Sequence, residues 1–486
     1  MDSDKQIHIT NTGTVIVPYK KRQSVSLERM TSMKDFGCKF KRIEVTGFNI
    51  DGLFLTHHLP KFLLDNDFPG YVVTYHPPME AKKFPTDVRM EISEEYSLSD
   101  PQYLIVESIL RDTKNSRWFV NCPQGFGKTL ISTFIISQFR LNALIMCYST
   151  AILRQWREKI YEYTNIPMER VLSLDSGALI TSIIEDAFPI QNYNLFISTP
   201  KLITQYANKH GFDKIHKLFT KLGIGIKIYD EAHRDLANII KIDALSSVAN
   251  TLYLSGDFAQ ASKYKSKFFY QMFSGVRVVK PDQETLNDLR YTKAVIVEYN
   301  THPSDLEVIS VFGKRGLSIW DYMEYQIRKG TLIKVINWIL DHITQLKESD
   351  RRILILTSMI EHCDLLYNLV SDRYNEYNVG KIHGDMSIEH NADVKNNAQI
   401  IVSTYNSFST GMDTHNIKYV ISTSVSNRVE DSQASGRARP LSDGEDCMFW
   451  MLVDTGFDRV VQKEQERIEY LKNVKVKDVT KISYYE

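Results

Sequence analysis

The stretch Cys122-Pro-Gln-Gly125-Phe-Gly127-Lys128-Thr129 carries the densest chemistry in the chain. Gly125 and Gly127 allow successive backbone N–H groups to turn inward around phosphate oxygens, and a helix opening behind them adds positive potential. Lys128 would neutralise β- and γ-phosphates, and the Thr129 hydroxyl would complete a magnesium shell. About a hundred residues further on stands Asp230-Glu231-Ala232-His233, directly after the apolar run Ile224 to Tyr229. A carboxylate that follows a parallel strand beside a phosphate loop is placed to hold magnesium, which assigns Asp230; Glu231 is placed to polarise an attacking water. A glycine turn would explain the loop by itself, and a solvated acidic turn would explain either carboxylate. Together they define a nucleoside triphosphatase site using ATP-type substrate and Mg2+.

Such a site needs parallel strands to hold it, and the surrounding pattern supplies them. From about Ser97 apolar runs alternate with amphipathic helices, the signature of a parallel α/β sheet. The runs Trp118 to Asn121, Ala143 to Cys147, Leu195 to Ser198, Ile224 to Tyr229 and Thr251 to Leu254 read as strands, and Leu130 to Phe139 as the helix behind the loop. A second series follows: helix Leu332 to Leu346, strand Arg352 to Leu356, helix Glu361 to Leu369, then strands Gln399 to Ser403, Tyr419 to Ser422 and Met448 to Val453. The expected organisation is a small α+β N-terminal module (1–95), a first α/β domain (96–280), a connecting region with one isolated strand, Lys293 to Glu298 (281–330), a second α/β domain (331–455) and a charged helical tail (456–486). In the module, short β-type runs (Ile7 to Ile9, Thr14 to Val17, Arg42 to Thr46, Tyr71 to Tyr75) flank a short helix candidate, Leu59 to Leu64.

Composition narrows the class without naming a partner. The 486 residues are 43% hydrophobic and 24% charged, which excludes a disordered chain or a fibre. No apolar run approaches the roughly 18 residues that cross a bilayer, and the polar opening Met1 to Thr10 does not read as a targeting peptide. Lys plus Arg equals Asp plus Glu at 59 each, so net charge neither announces nor excludes a nucleic-acid partner. The five cysteines, Cys38, Cys122, Cys147, Cys363 and Cys447, have no CxxC spacing; neither a structural zinc nor a disulfide framework is expected, and a reducing, cytoplasmic setting is. His57-His58 are rejected as metal ligands, because neighbours on a strand face opposite sides.

At these motifs the chain resembles the superfamily 2 helicases and translocases. Pro123 to Thr129 is similar to their motif I, where proline commonly leads, and Asp230 to His233 to motif II. Leu153-Arg-Gln155-Trp156 is similar to motif Ia, Ser198-Thr-Pro200 to the next strand-end motif, and Asp100-Pro-Gln102 to the adenine-reading segment. Ile401-Val-Ser403-Thr404 with Ser409-Thr-Gly411-Met-Asp413 resembles motif V, and Gln433-Ala-Ser-Gly436-Arg437-Ala-Arg439 resembles motif VI. The likeness runs in order over roughly residues 97 to 455. It implies two tandem RecA-like domains, parallel sheets flanked by helices, with ATP between them and a nucleic-acid strand across the top. It also implies nucleotide contacts by Gln102, Phe126, Gly411 and Asp413 beside the loop residues, and catalytic roles for Gln433 and for Arg437 or Arg439 as arginine finger. Two departures stand out: motif VI has Pro440 where its last arginine usually falls, and motif III is replaced by Leu254-Ser255-Gly256-Asp257.

Within the superfamily, Leu254-Ser-Gly256, Ser407-Phe-Ser-Thr-Gly411 and Asn49-Ile-Asp51-Gly52 resemble the phage UvsW-type branched-DNA helicases, relatives of RecG-like and XPB-like motors. That likeness implies a phage or bacterial setting and work on forks, D-loops, R-loops or Holliday junctions in replication, recombination and repair. Strand contacts are expected through Thr150, Arg154, Thr199, Thr357, Ser403 and Thr404, chiefly to phosphates and so without sequence readout. Lys20-Lys-Arg22 and Lys39-Phe-Lys-Arg42 are candidate duplex grips or simply solvated edges. The alternatives are an RNA helicase or viral transcript-release factor working on RNA or an RNA–DNA hybrid, and an inactive ATP-binding recognition module of a larger complex.

Overall fold

The computed structural model describes residues 78–486 apart from 124, 212, 247, 257–275, 289–291, 314–315, 344–350, 410–415, 424–433, 435–444, 475 and 486; before residue 78 it describes the backbone of six strands. The chain divides into two compact units, 1–282 and 283–486.

The first unit is built on seven parallel strands in the order Arg277–Val279, Arg117–Asn121, Asn250–Ser255, Ile226–Tyr229, Ala143–Met146, Leu195–Ser198 and Val171–Ser173. Its central strands are buried along their whole length, which is why they read as continuous apolar runs rather than as alternation. The helix Lys128–Phe139 is buried on most sides, through the small polar Ser132, Thr133 and Ser137 as well as Leu130, Ile131, Ile135 and Ile136. The helix Thr150–Tyr163 instead buries one stripe, Ile152, Trp156 and Ile160. Because every strand is parallel, the loops after Asn121, Met146, Ser198, Tyr229 and Ser255 emerge at one end of the sheet.

Before residue 78, four strands form a mixed sheet in the order Gly52–Leu55, Val15–Pro18, Gln6–Ile9 and Val72–Tyr75, and Ile43–Val45 pairs with Phe48–Ile50 as a hairpin. The helix candidate Leu59 to Leu64 lies outside the described residues. The module's expected end near residue 95 needs correction. Lys83 bridges to Leu141 and Ile92 to Thr164, and Phe84, Val88 and Met90 are buried, so this stretch belongs to the first α/β layer.

The second unit also holds seven parallel strands, in the order Val379–Ile382, Ile400–Thr404, Arg352–Thr357, Ile417–Ser422, Cys447–Asp454, Thr292–Tyr299 and Val476–Ser483. Two expectations are corrected here. Thr292–Tyr299 is no isolated strand in a connecting region: it pairs residue for residue with Cys447–Asp454. At its end a buried Asp454 carboxylate accepts from the Thr301 amide (3.1 Å) and hydroxyl (2.5 Å), the Gly456 amide (3.0 Å) and Gln326 Nε2 (2.6 Å). That cluster ties residues 299–326 into the second sheet. The tail is helical over Asp458–Val474 but then returns as the edge strand Val476–Ser483 beside Thr292–Tyr299. Among the described residues, no helix is long and apolar enough to cross a membrane.

Candidate nucleotide site

Gly125 and Gly127 both take left-handed backbone angles, φ +83° and +86°, and Gly127 caps the helix that starts at Lys128. A Cβ at Gly125 would meet nothing within 4 Å, so the positive φ rather than crowding is what calls for glycine there. One at Gly127 would come within 2.5 Å of Gln102 Nε2. Gln102 is already engaged there: its Nε2 donates to the Phe126 carbonyl at 2.7 Å, and its Oε1 accepts from the Ser99 amide at 2.9 Å at the start of the helix Asp100–Leu110. Lys128 Nζ rests on the carbonyls of Cys122 (3.2 Å) and Pro123 (3.3 Å), inside its own loop.

Asp230 leaves the strand Ile226–Tyr229 at the same sheet end, its N–H donating to Met146 O at 2.9 Å on the neighbouring strand. Its Oδ1 accepts from the Glu231 amide at 3.0 Å and its Oδ2 from the Trp156 indole at 2.8 Å. Burial, reinforced by the charge of Glu231, pushes the Asp230 carboxyl up to about 6; the Trp156 hydrogen bond and the charge of Lys128 oppose the rise. Glu231 sits at φ +49°, a strained angle for a residue with a side chain, in a turn closed by Arg234 N–H to Glu231 O (2.9 Å) and Ala232 N–H to Leu254 O (3.0 Å). His233 Nδ1 lies 2.7 Å from Ser255 Oγ and 3.3 Å from Glu231 Oε2. Ser255, in the divergent stretch after the fifth apolar run, therefore bonds directly to the turn that carries the carboxylates. The adjacent Cys122 thiol is pushed up to about 12 by burial, so it offers no thiolate.

The donor set suits magnesium and a triphosphate. The Asp230 carboxylate keeps lone pairs beyond the bonds described, and the Thr129 hydroxyl, next to Lys128 in the sequence, would be the second hard oxygen.

The expected strand contacts divide by exposure. Thr150 and Arg154 are exposed on one face of their helix. Thr199 caps the helix Pro200–His210, its hydroxyl accepting from Leu202 N–H at 3.1 Å. In the second unit the hydroxyls turn inward. Ser403 is fully buried and donates to Ile382 O at 2.8 Å, Thr404 Oγ1 donates to Ser407 Oγ at 2.9 Å, and Thr357 is fully buried. As arranged, the Ser403 hydroxyl is spent inside the fold, which corrects its expected place on the strand. Gly411, Asp413, Gln433, Arg437 and Arg439 lie outside the described residues. Sequence reasoning missed the Trp156–Asp230 bond and the His233–Ser255 bond. Their signals were present only as an indole in motif Ia and a serine at a strand end.

Residues 95–260 match the family described as the res subunit of type III restriction enzymes, and residues 334–440 match the helicase conserved C-terminal domain. The chain belongs to the superfamily 2 helicases and translocases. Its relatives include a protein of Acanthamoeba polyphaga mimivirus whose assigned name is ATP-dependent RNA helicase L396, 23% identical over 305 residues, covering 61% of this chain and 52% of that protein. The chain thus spans about half the length of that relative. The ATP-dependent DNA helicase uvsW of Enterobacteria phage T4 is 20% identical over 382 residues, covering 76% of this chain and 71% of that protein. Among solved structures, S. cerevisiae Dbp5 bound to RNA and ADP BeF3 matches with a TM-score of 0.50 at 13% identity, covering 80% of this chain and 95% of that one. At that identity the likeness speaks for the tandem RecA-like fold alone.

Proposed function

We propose that this chain is an ATP-driven motor that remodels branched DNA inside the cell. The observation that carries the ATPase reading is the meeting, at one end of one parallel sheet, of a left-handed glycine turn, Lys128, and the paired carboxylates Asp230 and Glu231. Magnesium, held through Thr129 and Asp230, would neutralise charge on the phosphates. Lys128, now resting on loop carbonyls, is free to exchange them for phosphate oxygens, and Glu231 is the residue to orient water. Arg437 and Arg439 enter the proposal as arginine-finger candidates from their motif, with Gln433, Gly411 and Asp413 as further nucleotide contacts. Strand binding falls to Thr150, Arg154 and Thr199, with backbone groups near Thr357 and Thr404.

The preference for DNA rests on the uvsW match, which runs along three-quarters of the chain. RNA is the second reading, favoured by the name of the mimivirus relative. The deciding experiment is the steady-state ATPase rate without nucleic acid, then with single-stranded DNA, forked DNA and matched RNA at fixed salt. Strong stimulation by forked DNA and little by RNA supports branch remodelling. Preferential stimulation by RNA overturns it in favour of an RNA motor, and no hydrolysis under any condition leaves a nucleotide-binding recognition module.

A further inference from the structure

The helix Thr150–Tyr163 presents two faces with different partners. Thr150 and Arg154, one turn apart, are exposed; Ile152, Trp156 and Ile160 form the buried stripe. Within that stripe Trp156 supplies a polar atom, and its indole N–H donates to Asp230 Oδ2 at 2.8 Å. The geometry follows from the sheet. Met146 pairs with Tyr229 on the adjacent strand, so the helix that follows Met146 lies over the carboxylate that follows Tyr229. The helix is closed at both ends, Ser149 Oγ accepting from Ile152 N–H at 3.4 Å and Thr164 Oγ1 donating to Ile160 O at 2.7 Å. It spans 14 residues, about four turns.

We infer that Trp156 is a positioning residue that couples strand engagement at Thr150 and Arg154 to the orientation of the magnesium-side carboxylate Asp230. This rests on the reading of Asp230 and of the two exposed residues given above. The bond joins a neutral donor to a charged acceptor and fixes which lone pairs of Asp230 remain for a cation. With Glu231 N–H on Oδ1 and the indole on Oδ2, each oxygen is oriented by a separate element, one of them the helix that faces the nucleic acid. Any displacement of that helix by a bound strand is carried to Oδ2. Coupling of this kind is reciprocal: nucleic acid that favours one carboxylate orientation changes magnesium–nucleotide affinity by a factor, and magnesium–nucleotide changes nucleic-acid affinity by the same factor.

Reciprocity supplies a binding readout independent of turnover. The dissociation constant of a fluorescein-labelled single-stranded oligonucleotide is measured with and without saturating Mg2+·AMP-PNP, and the ratio of the two is the coupling factor. Three proteins are compared: the full chain, Trp156→Phe, and the full chain carrying 3-benzothienylalanine at 156, which keeps the shape of indole and replaces N–H by sulfur. In both substituted proteins the factor is expected to fall about fivefold or more toward one. Their nucleotide-free oligonucleotide affinity should stay within about twofold of the full chain, since neither change touches the exposed face. A coupling factor retained with 3-benzothienylalanine overturns the inference, because packing alone would then explain any effect of Phe. A full chain that binds nucleotide and oligonucleotide with no coupling overturns it as well, leaving the site assignment standing. A full chain that binds no nucleotide fails the site assignment itself, and the inference with it.

Discussion

The Gln102 carboxamide donates to the Phe126 carbonyl at 2.7 Å, and the same nitrogen stands 2.5 Å from where a methyl group on Gly127 would lie. The helix Asp100–Leu110 and the phosphate loop therefore meet through the tip of the Gln102 side chain, and the firmer demand for glycine at 127 is its left-handed φ. Gly127→Ala meets both that contact and a φ of +86°, and is expected to destabilise the first unit by about 1–3 kcal/mol and to abolish nucleotide binding. Gln102→Ala removes the contact while leaving the glycine angle intact. It should weaken nucleotide affinity about tenfold with little change in thermal midpoint, as read by fluorescent-nucleotide titration beside a melting curve.

Lys128 and Glu231 separate binding from chemistry. Lys128→Ala removes the charge that would meet the phosphates, so both affinity and turnover should collapse. Glu231→Gln keeps the shape of the turn and should bind nucleotide as the unmodified chain does, while hydrolysing it at least about a hundredfold more slowly. Hydrolysis above contaminant level in both variants would sink the assignment.

The same residues show what a sequence can disclose here. Fully buried parallel strands announce themselves as unbroken apolar runs, and a phosphate loop is local, so the five inner strands of the first sheet and the Gly125–Thr129 turn were legible, while its short edge strands Val171–Ser173 and Arg277–Val279 were not. Partnership across long separations was not. Thr292–Tyr299 looked isolated because its neighbours begin at Cys447 and Val476, and nothing within the strand names them. Val476–Ser483 is an edge strand with mostly exposed, polar positions, so it lacks the apolar signature altogether. Ser403 illustrates a third limit. Its place in a motif suggested an outward hydroxyl, whereas its position on a strand buried at every residue turns it to Ile382 O.

His362 gives a test by pH. The ring is 2% exposed, at the start of the helix Ile360–Arg373, with Glu324 Oε1 3.7 Å from Nε2 and Trp320 beside it at 6.2 Å. Burial lowers its pKa below the ordinary 6.5, against a smaller upward pull from Glu324. A base with a depressed folded-state value is neutral at no cost above its ordinary pKa. The unfolded chain takes up the proton more readily as pH falls, so stability contributed by the neutral ring is lost between about pH 7 and the folded value. The second unit should weaken on going from pH 7.5 to 5.5, and His362→Leu should flatten that slope. Thermal midpoints of both proteins across this range provide the check; equal slopes would remove His362 from the account.

Beneath the carboxylate turn, Asp243 gathers three buried side chains. Lys227 Nζ pairs with Oδ1 and also donates to Ser246 Oγ at 2.9 Å; Tyr229 OH donates to Oδ1 at 2.8 Å and Tyr253 OH to Oδ2 at 2.5 Å. Tyr229 immediately precedes Asp230, and Tyr253 lies two residues before Ser255, so one carboxylate ties together the strands that end in the site. A buried pair of this type costs desolvation on both sides, and removing one partner leaves the other charge stranded. Asp243→Ala should therefore cost about 3–5 kcal/mol; the double change Lys227→Met with Asp243→Leu removes the stranded charge but leaves the Tyr229 and Tyr253 hydroxyls without their acceptor, so it should recover only part of that loss. Urea unfolding of the single and double variants measures the difference. If the double variant regains stability yet hydrolyses ATP poorly, the hydrogen bonds from Tyr229 and Tyr253 are needed to hold the strand ends in register for Asp230 and Ser255. If it regains both, the cluster serves the core alone.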